Sequence, residues 1–92
     1  MRSILELLKI LLEHINTIGM SAEQSKGLCS LIYRLDLANI ISKSEGHKIS
    51  NYIYENKPNI TYFPYFWEQG MREPRIKWLK EQIEKLENEN KN

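Results

Sequence analysis

The stretch PNITYFPYFWEQGMREPRIKW, from Pro58 to Trp78, decides how the rest of the chain is arranged. It holds six of the nine aromatic residues, all three prolines and two of the four arginines. Patterns of helical periodicity lie on both sides of it. Its aromatic run could form a strand, but the sequence offers no clear second strand for pairing, and an isolated strand is unstable in water. We therefore predict an irregular, aromatic-rich segment between helices.

Three short helices are predicted before this segment. The first runs from Ser3 to about Thr17, where apolar residues recur every three or four positions. The sequence Ser21–Gln24 has the capping-box pattern and begins a second helix, which ends near Leu37. The sequence Ser42–Glu45 repeats this pattern and begins a third helix, from Lys43 to about Glu55.

One longer helix is predicted after the segment, from about Pro74 to Glu87. Proline suits the first turn of a helix. The apolar residues that follow alternate between three- and four-residue steps and form one stripe: Ile76, Leu79, Ile83 and Leu86. Residues 88–92 are polar and are expected to form a frayed tail. The sequence thus predicts an all-α fold, a small four-helix domain of residues 1–87 with the aromatic-rich irregular segment before the last helix.

Composition limits the function classes open to this chain. A formal net charge of +1 argues against dedicated nucleic-acid binding, which usually requires a basic excess on one face. Cys29 is the single cysteine, so no intrachain disulfide can form and a cytoplasmic location is expected. Glu6 and Lys9 interrupt the N-terminal apolar run, which therefore predicts neither a signal peptide nor a membrane span.

The first helix is more apolar than one neighbouring helix requires. Its apolar arc is widened by Leu5, Leu7, Ile10 and Leu12. Two interpretations remain open. The helix is either central to the core and covered on two sides, or it forms a surface through which copies of the chain associate into a homo-oligomer.

Motifs for catalysis and metal binding are absent from the sequence. It contains no glycine-rich phosphate loop, nucleophile elbow or HExxH pattern. A zinc site needs about four ligands, whereas the chain offers only His14, His47 and Cys29, far apart. We therefore predict a protein that is not an enzyme and has no cofactor or metal.

A binding site is predicted at the start of the last helix. Arg72, Arg75 and Lys77 cluster where unpaired backbone N–H groups and the helix dipole favour anions. Arginine presents a fork that matches phosphate, and aromatic faces stack on planar bases. The candidate ligand-binding residues are therefore Tyr62, Tyr65, Trp67, Arg72, Arg75 and Lys77.

A purely structural interpretation explains the same residues. Aromatic side chains dominate the buried area of small cores, so the segment could instead pack between the helices. Its two arginines would then pair with nearby carboxylates, Arg72 and Arg75 with Glu68 and Glu73. The sequence leaves both interpretations open.

Several short motifs follow one another between Lys26 and Ile83. They are Gly27-Leu28-Cys29, Ile41-Ser42 with Glu45, Tyr52-Ile53, Asn56-Lys57-Pro58, Tyr65-Phe66-Trp67, Gly70, Pro74-Arg75 and Trp78-Leu79. This order resembles small uncharacterised accessory proteins of tailed bacteriophages. The resemblance implies a phage source, the host cytoplasm as location, and an action on host machinery. Such an action includes counter-defence, either by sequestering nucleotide signals or by blocking an effector protein.

Taken together, residues and resemblance predict a non-catalytic phage accessory protein. It is expected to bind and sequester a phosphate-bearing small molecule, such as a nucleotide immune signal, as a homo-oligomer. The alternative is a protein-interaction module that inhibits a host defence enzyme through its aromatic and arginine surface. A third hypothesis is a small subunit of a larger phage assembly.

Overall fold

The computed structural model describes residues 1–15, 28–56 and 72–90. These ranges contain four helices and no strand: α1 (Ile4–His14), α2 (Leu28–Leu37), α3 (Lys43–Asn56) and α4 (Arg72–Asn90). None of these helices is both long and apolar enough to cross a membrane. The prediction of a small all-α protein with four helices is confirmed. The aromatic-rich segment and the Ser21–Gln24 capping pattern lie outside the described residues.

A capping box closes the N-terminus of α1. The Ser3 hydroxyl accepts a hydrogen bond from the Glu6 N–H, and the Glu6 carboxylate accepts one from the Ser3 N–H, both at 3.2 Å. These bonds satisfy N–H groups that have no partner within the helix. The helix ends at His14, with Ile15 as its C-cap, which is earlier than the end predicted near Thr17.

A Schellman motif ends α2 and turns the chain towards α3. Asn39 has a φ of 60°, in the left-handed region that asparagine tolerates better than most residues other than glycine. The Ile40 N–H donates to the Leu35 carbonyl at 2.9 Å, and the Asn39 N–H donates to the Asp36 carbonyl at 3.0 Å. The motif satisfies carbonyl groups at the end of α2 and keeps the connection to α3 short.

The capping box predicted at the start of α3 is confirmed. The Glu45 N–H donates to the Ser42 hydroxyl at 3.1 Å, and the Ser42 N–H donates to the Glu45 carboxylate at 2.9 Å. The helix ends at Asn56, one residue beyond the predicted Glu55, and the Asn56 side-chain amide donates to the Tyr52 carbonyl at 2.8 Å.

The last helix, α4, is longer than predicted at both ends. It begins at Arg72 rather than at Pro74, which leaves Pro74 within the first turn, where its missing N–H removes no helical hydrogen bond. It continues to Asn90, so residues 88–90 of the predicted polar tail are helical. No glycine or proline follows Pro74, and the glutamates and lysines of this stretch favour a helix.

The core lies between the four helices, and α1 packs most extensively against α4. Each fully buried aliphatic side chain contributes roughly 1.5–3 kcal/mol to folding. The apolar arc of α1 is wider than its buried face: Leu5, Ile10 and Leu12 are half-buried, and Ile10 and Leu12 pack against the core. The buried apolar side chains are Leu7, Leu8, Leu11, Ile15, Leu28, Leu31, Ile32, Leu35, Ile41, Ile49, Ile53, Trp78 and Leu79.

The predicted apolar stripe of α4 faces the core. Leu79 is buried, and Ile76, Ile83 and Leu86 are half-buried and pack against the core. Arg75 and Trp78, which were not part of the predicted stripe, are buried beside Leu79 as well.

Candidate functional site

The structure describes the predicted cationic site in part. Arg72 is the first residue of α4, the Arg75 side chain is buried at 1% exposure, and Lys77 is exposed. The side chain of Arg72 and the three predicted aromatic residues, Tyr62, Tyr65 and Trp67, lie outside what the structure describes.

Arg75 and Lys77 lie on opposite sides of α4. Two residues along an α-helix correspond to a rotation of about 200°, and their exposures agree with this, since one side chain is buried and the other exposed. Arg72 is three residues before Arg75, and residues at this spacing are neighbours on a helix surface. Arg75 therefore faces the core, whereas Lys77 faces away from it.

Arg75 is unusual because a charged side chain is seldom fully buried. Removing a guanidinium from water is costly unless the group is paired and hydrogen-bonded. Both Arg75 and its buried neighbour Trp78 have interaction partners. Arg75 thus places a positively charged side chain, held by its interaction partner, in a largely apolar core near the start of α4.

A second charged cluster joins the starts of α1 and α3. The Glu45 carboxylate accepts hydrogen bonds from the Arg2 N–H at 2.9 Å and from Arg2 Nη1 at 3.0 Å. It also accepts the capping bond from the Ser42 N–H. The Ser42 N–H and then the Arg2 N–H are the main causes that lower the pKa of Glu45 from its usual 4.5 to about 2. Glu45 is therefore ionised throughout the physiological pH range.

Arg2 is held by further contacts. Its Nη1 donates to the Ile40 carbonyl at 3.2 Å, and its own carbonyl accepts from Lys48 Nζ at 3.2 Å. A shallow depression near this cluster is lined by Met1, Arg2, Glu6, Ser42, Ser44 and Glu45. The carboxylates of Glu6 and Glu45 already accept hydrogen bonds from the N-cap N–H groups of Ser3 and Ser42 at this depression. The cluster is consequently an anchor between helices and not an open anion site.

A third polar contact links α3 to α4. The Tyr52 hydroxyl donates to Gln82 Oε1 at 2.8 Å. Burial, followed by the negative charge of Glu89, raises the pKa of Tyr52. The hydroxyl thus stays protonated as a donor, and the contact fixes the position of α4 on α3.

Large apolar side chains are exposed on α2 and α3. Tyr33 and Leu37 of α2 are 63% and 64% exposed, and Tyr54 of α3 is 59% exposed. Tyr33 and Leu37 are four residues apart and therefore neighbours on one helix face. Sequence reasoning missed this pair, since it placed all candidate aromatic contacts in the segment before α4.

Metal ligands do not cluster in the part of the chain that the structure describes. Within those ranges, no group of three or more histidine, cysteine, aspartate or glutamate side chains is arranged to hold a metal ion. His14 is half-buried at the end of α1, whereas His47 is exposed on α3.

Comparison of the chain with protein-family models, curated proteins and solved structures finds no match. The similarity to phage accessory proteins therefore stays a prediction from the sequence.

Proposed function

We propose that this protein is a non-catalytic binding protein that sequesters a phosphate-bearing small molecule, such as a nucleotide immune signal. Arg72 and Arg75 would hold the phosphate, and the aromatic residues Tyr62, Tyr65 and Trp67 would stack on the planar part of the ligand. The observation that carries the proposal is the buried guanidinium of Arg75 in the first turns of α4.

Arg75 is 1% exposed and already has an interaction partner, so a phosphate would have to replace that partner to reach the guanidinium. Once in contact, the pair would gain from the low effective dielectric constant of a water-excluded position. The direction of α4 adds to this, because its N-terminal end carries the positive end of the helix dipole. Both effects act where the aromatic-rich segment joins the helix.

The host context of the proposal comes from the sequence resemblance to phage accessory proteins. A small phage protein without catalytic motifs can oppose a nucleotide-based defence by lowering the free concentration of the signal. Sequestration requires binding alone, and the arginine and aromatic residues provide the chemistry for binding.

Calorimetric titration of the purified protein tests the proposal. The ligands are cyclic dinucleotides, cyclic trinucleotides and ADP-ribose, each added to the wild-type chain. We expect one class to bind, and Arg72→Ala to weaken that binding at least about tenfold, because a charge-assisted hydrogen bond contributes about 1.5–3 kcal/mol. Lys77→Ala is the matched control, since Lys77 faces the opposite side of α4 and should leave binding unchanged.

Arg75 requires a variant that preserves its buried packing. Arg75→Lys keeps the charge but loses the fork, so we expect weaker binding with the helical content, measured by circular dichroism, retained. The proposal is wrong if none of the ligands binds, or if both Arg72→Ala and Arg75→Lys bind as tightly as the wild type.

A second candidate function is favoured by the exposed pair Tyr33 and Leu37. Exposed aromatic and aliphatic neighbours are typical of protein contact sites, which supports a module that inhibits a host defence enzyme. The test is affinity capture from host lysate with the wild type and with Tyr33→Ala/Leu37→Ala. A stoichiometric protein that is lost only with the double variant supports this candidate, whereas a co-purifying nucleotide supports sequestration. Tyr54→Ala serves as the control for an exposed aromatic side chain elsewhere.

A further inference from the structure

We draw no further inference here: the strongest candidate, the exposed face of α2 that carries Tyr33 and Leu37, is the surface already assigned to the second candidate function, and nothing in the structure shows what covers it.

Discussion

Arg2 and Glu45 are 43 residues apart in the sequence, and Arg2 Nη1 lies 3.0 Å from Glu45 Oε1. The Arg2 N–H donates to the other carboxylate oxygen at 2.9 Å. One buried carboxylate thereby holds both the backbone and the side chain at the start of α1, while it caps α3 through Ser42. The Glu45 carboxylate therefore links α1 to α3 in addition to their shared apolar core.

Acid should weaken the fold through Glu45. The folded-state pKa of this carboxyl is lowered from 4.5 to about 2, so its stabilising effect is complete above pH 4.5 and is lost as the pH falls towards about 2. Glu45→Gln should remove this part of the acid dependence and lower stability at neutral pH. Urea unfolding across this pH range measures both effects.

Glu55→Gln is the matched control for Glu45, because Glu55 is an exposed glutamate on the same helix. It should change stability at neutral pH by no more than about 0.5 kcal/mol. An acid profile for Glu45→Gln that is the same as that of the wild type would contradict the role given to this carboxylate.

The sequence predicted those hydrogen bonds whose partners are close together in the chain. The capping box of Ser42 and Glu45 was readable because its partners are three residues apart, and its hydrogen bonds are present. The bond between Arg2 and Glu45 was not readable, because only the packed helices bring these residues together. For the same reason the sequence predicted that α3 would begin at Lys43, but not that the start of α3 would contact the start of α1.

The candidate site shows the same limit at Arg75. The sequence predicted Ile76, Leu79, Ile83 and Leu86 as one apolar face, and these residues lie in the core or pack against it. Arg75 is buried beside them together with Trp78, although arginine is usually exposed. Cationic residues at the helix start could be identified from the sequence, but which of them faces inward depends on the rotation of the whole helix.

Asn39 should be replaceable by glycine but not by alanine. Its φ of 60° favours glycine, whereas a side chain with a Cβ and no local hydrogen bonding is strained there. We expect Asn39→Gly to leave stability unchanged or raise it slightly, and Asn39→Ala to lower it by about 1 kcal/mol. Urea denaturation distinguishes the two, and equal stability of both variants would rule out a requirement for the left-handed conformation.

Gly46 of α3 lies close to Ile32 of α2. A Cβ at this position would lie 3.3 Å from Ile32 Cγ2, a buried side chain. Gly46→Ala gains about 1 kcal/mol of helix propensity but crowds Ile32, so its net effect should be within about 1 kcal/mol. Gly46→Leu should cost at least about 1–3 kcal/mol. In the Gly46→Ala chain, Ile32→Leu removes the crowded Cγ2 methyl from the β carbon and should cost less than it does in the wild type, which a thermal-unfolding cycle measures.

The hydrogen bond between Tyr52 and Gln82 should have a measurable coupling energy. The hydroxyl donates to Gln82 Oε1 at 2.8 Å and joins α3 to α4 in a half-buried environment. We expect Tyr52→Phe to destabilise the protein by about 0.5–1.5 kcal/mol, and Gln82→Ala to cost less once the hydroxyl is absent. A double-mutant cycle by urea unfolding gives the coupling. Tyr33→Phe removes the same hydroxyl from an exposed tyrosine and should change stability by less than about 0.5 kcal/mol. A coupling of zero between Tyr52 and Gln82 would show that α4 is held on α3 by apolar packing alone.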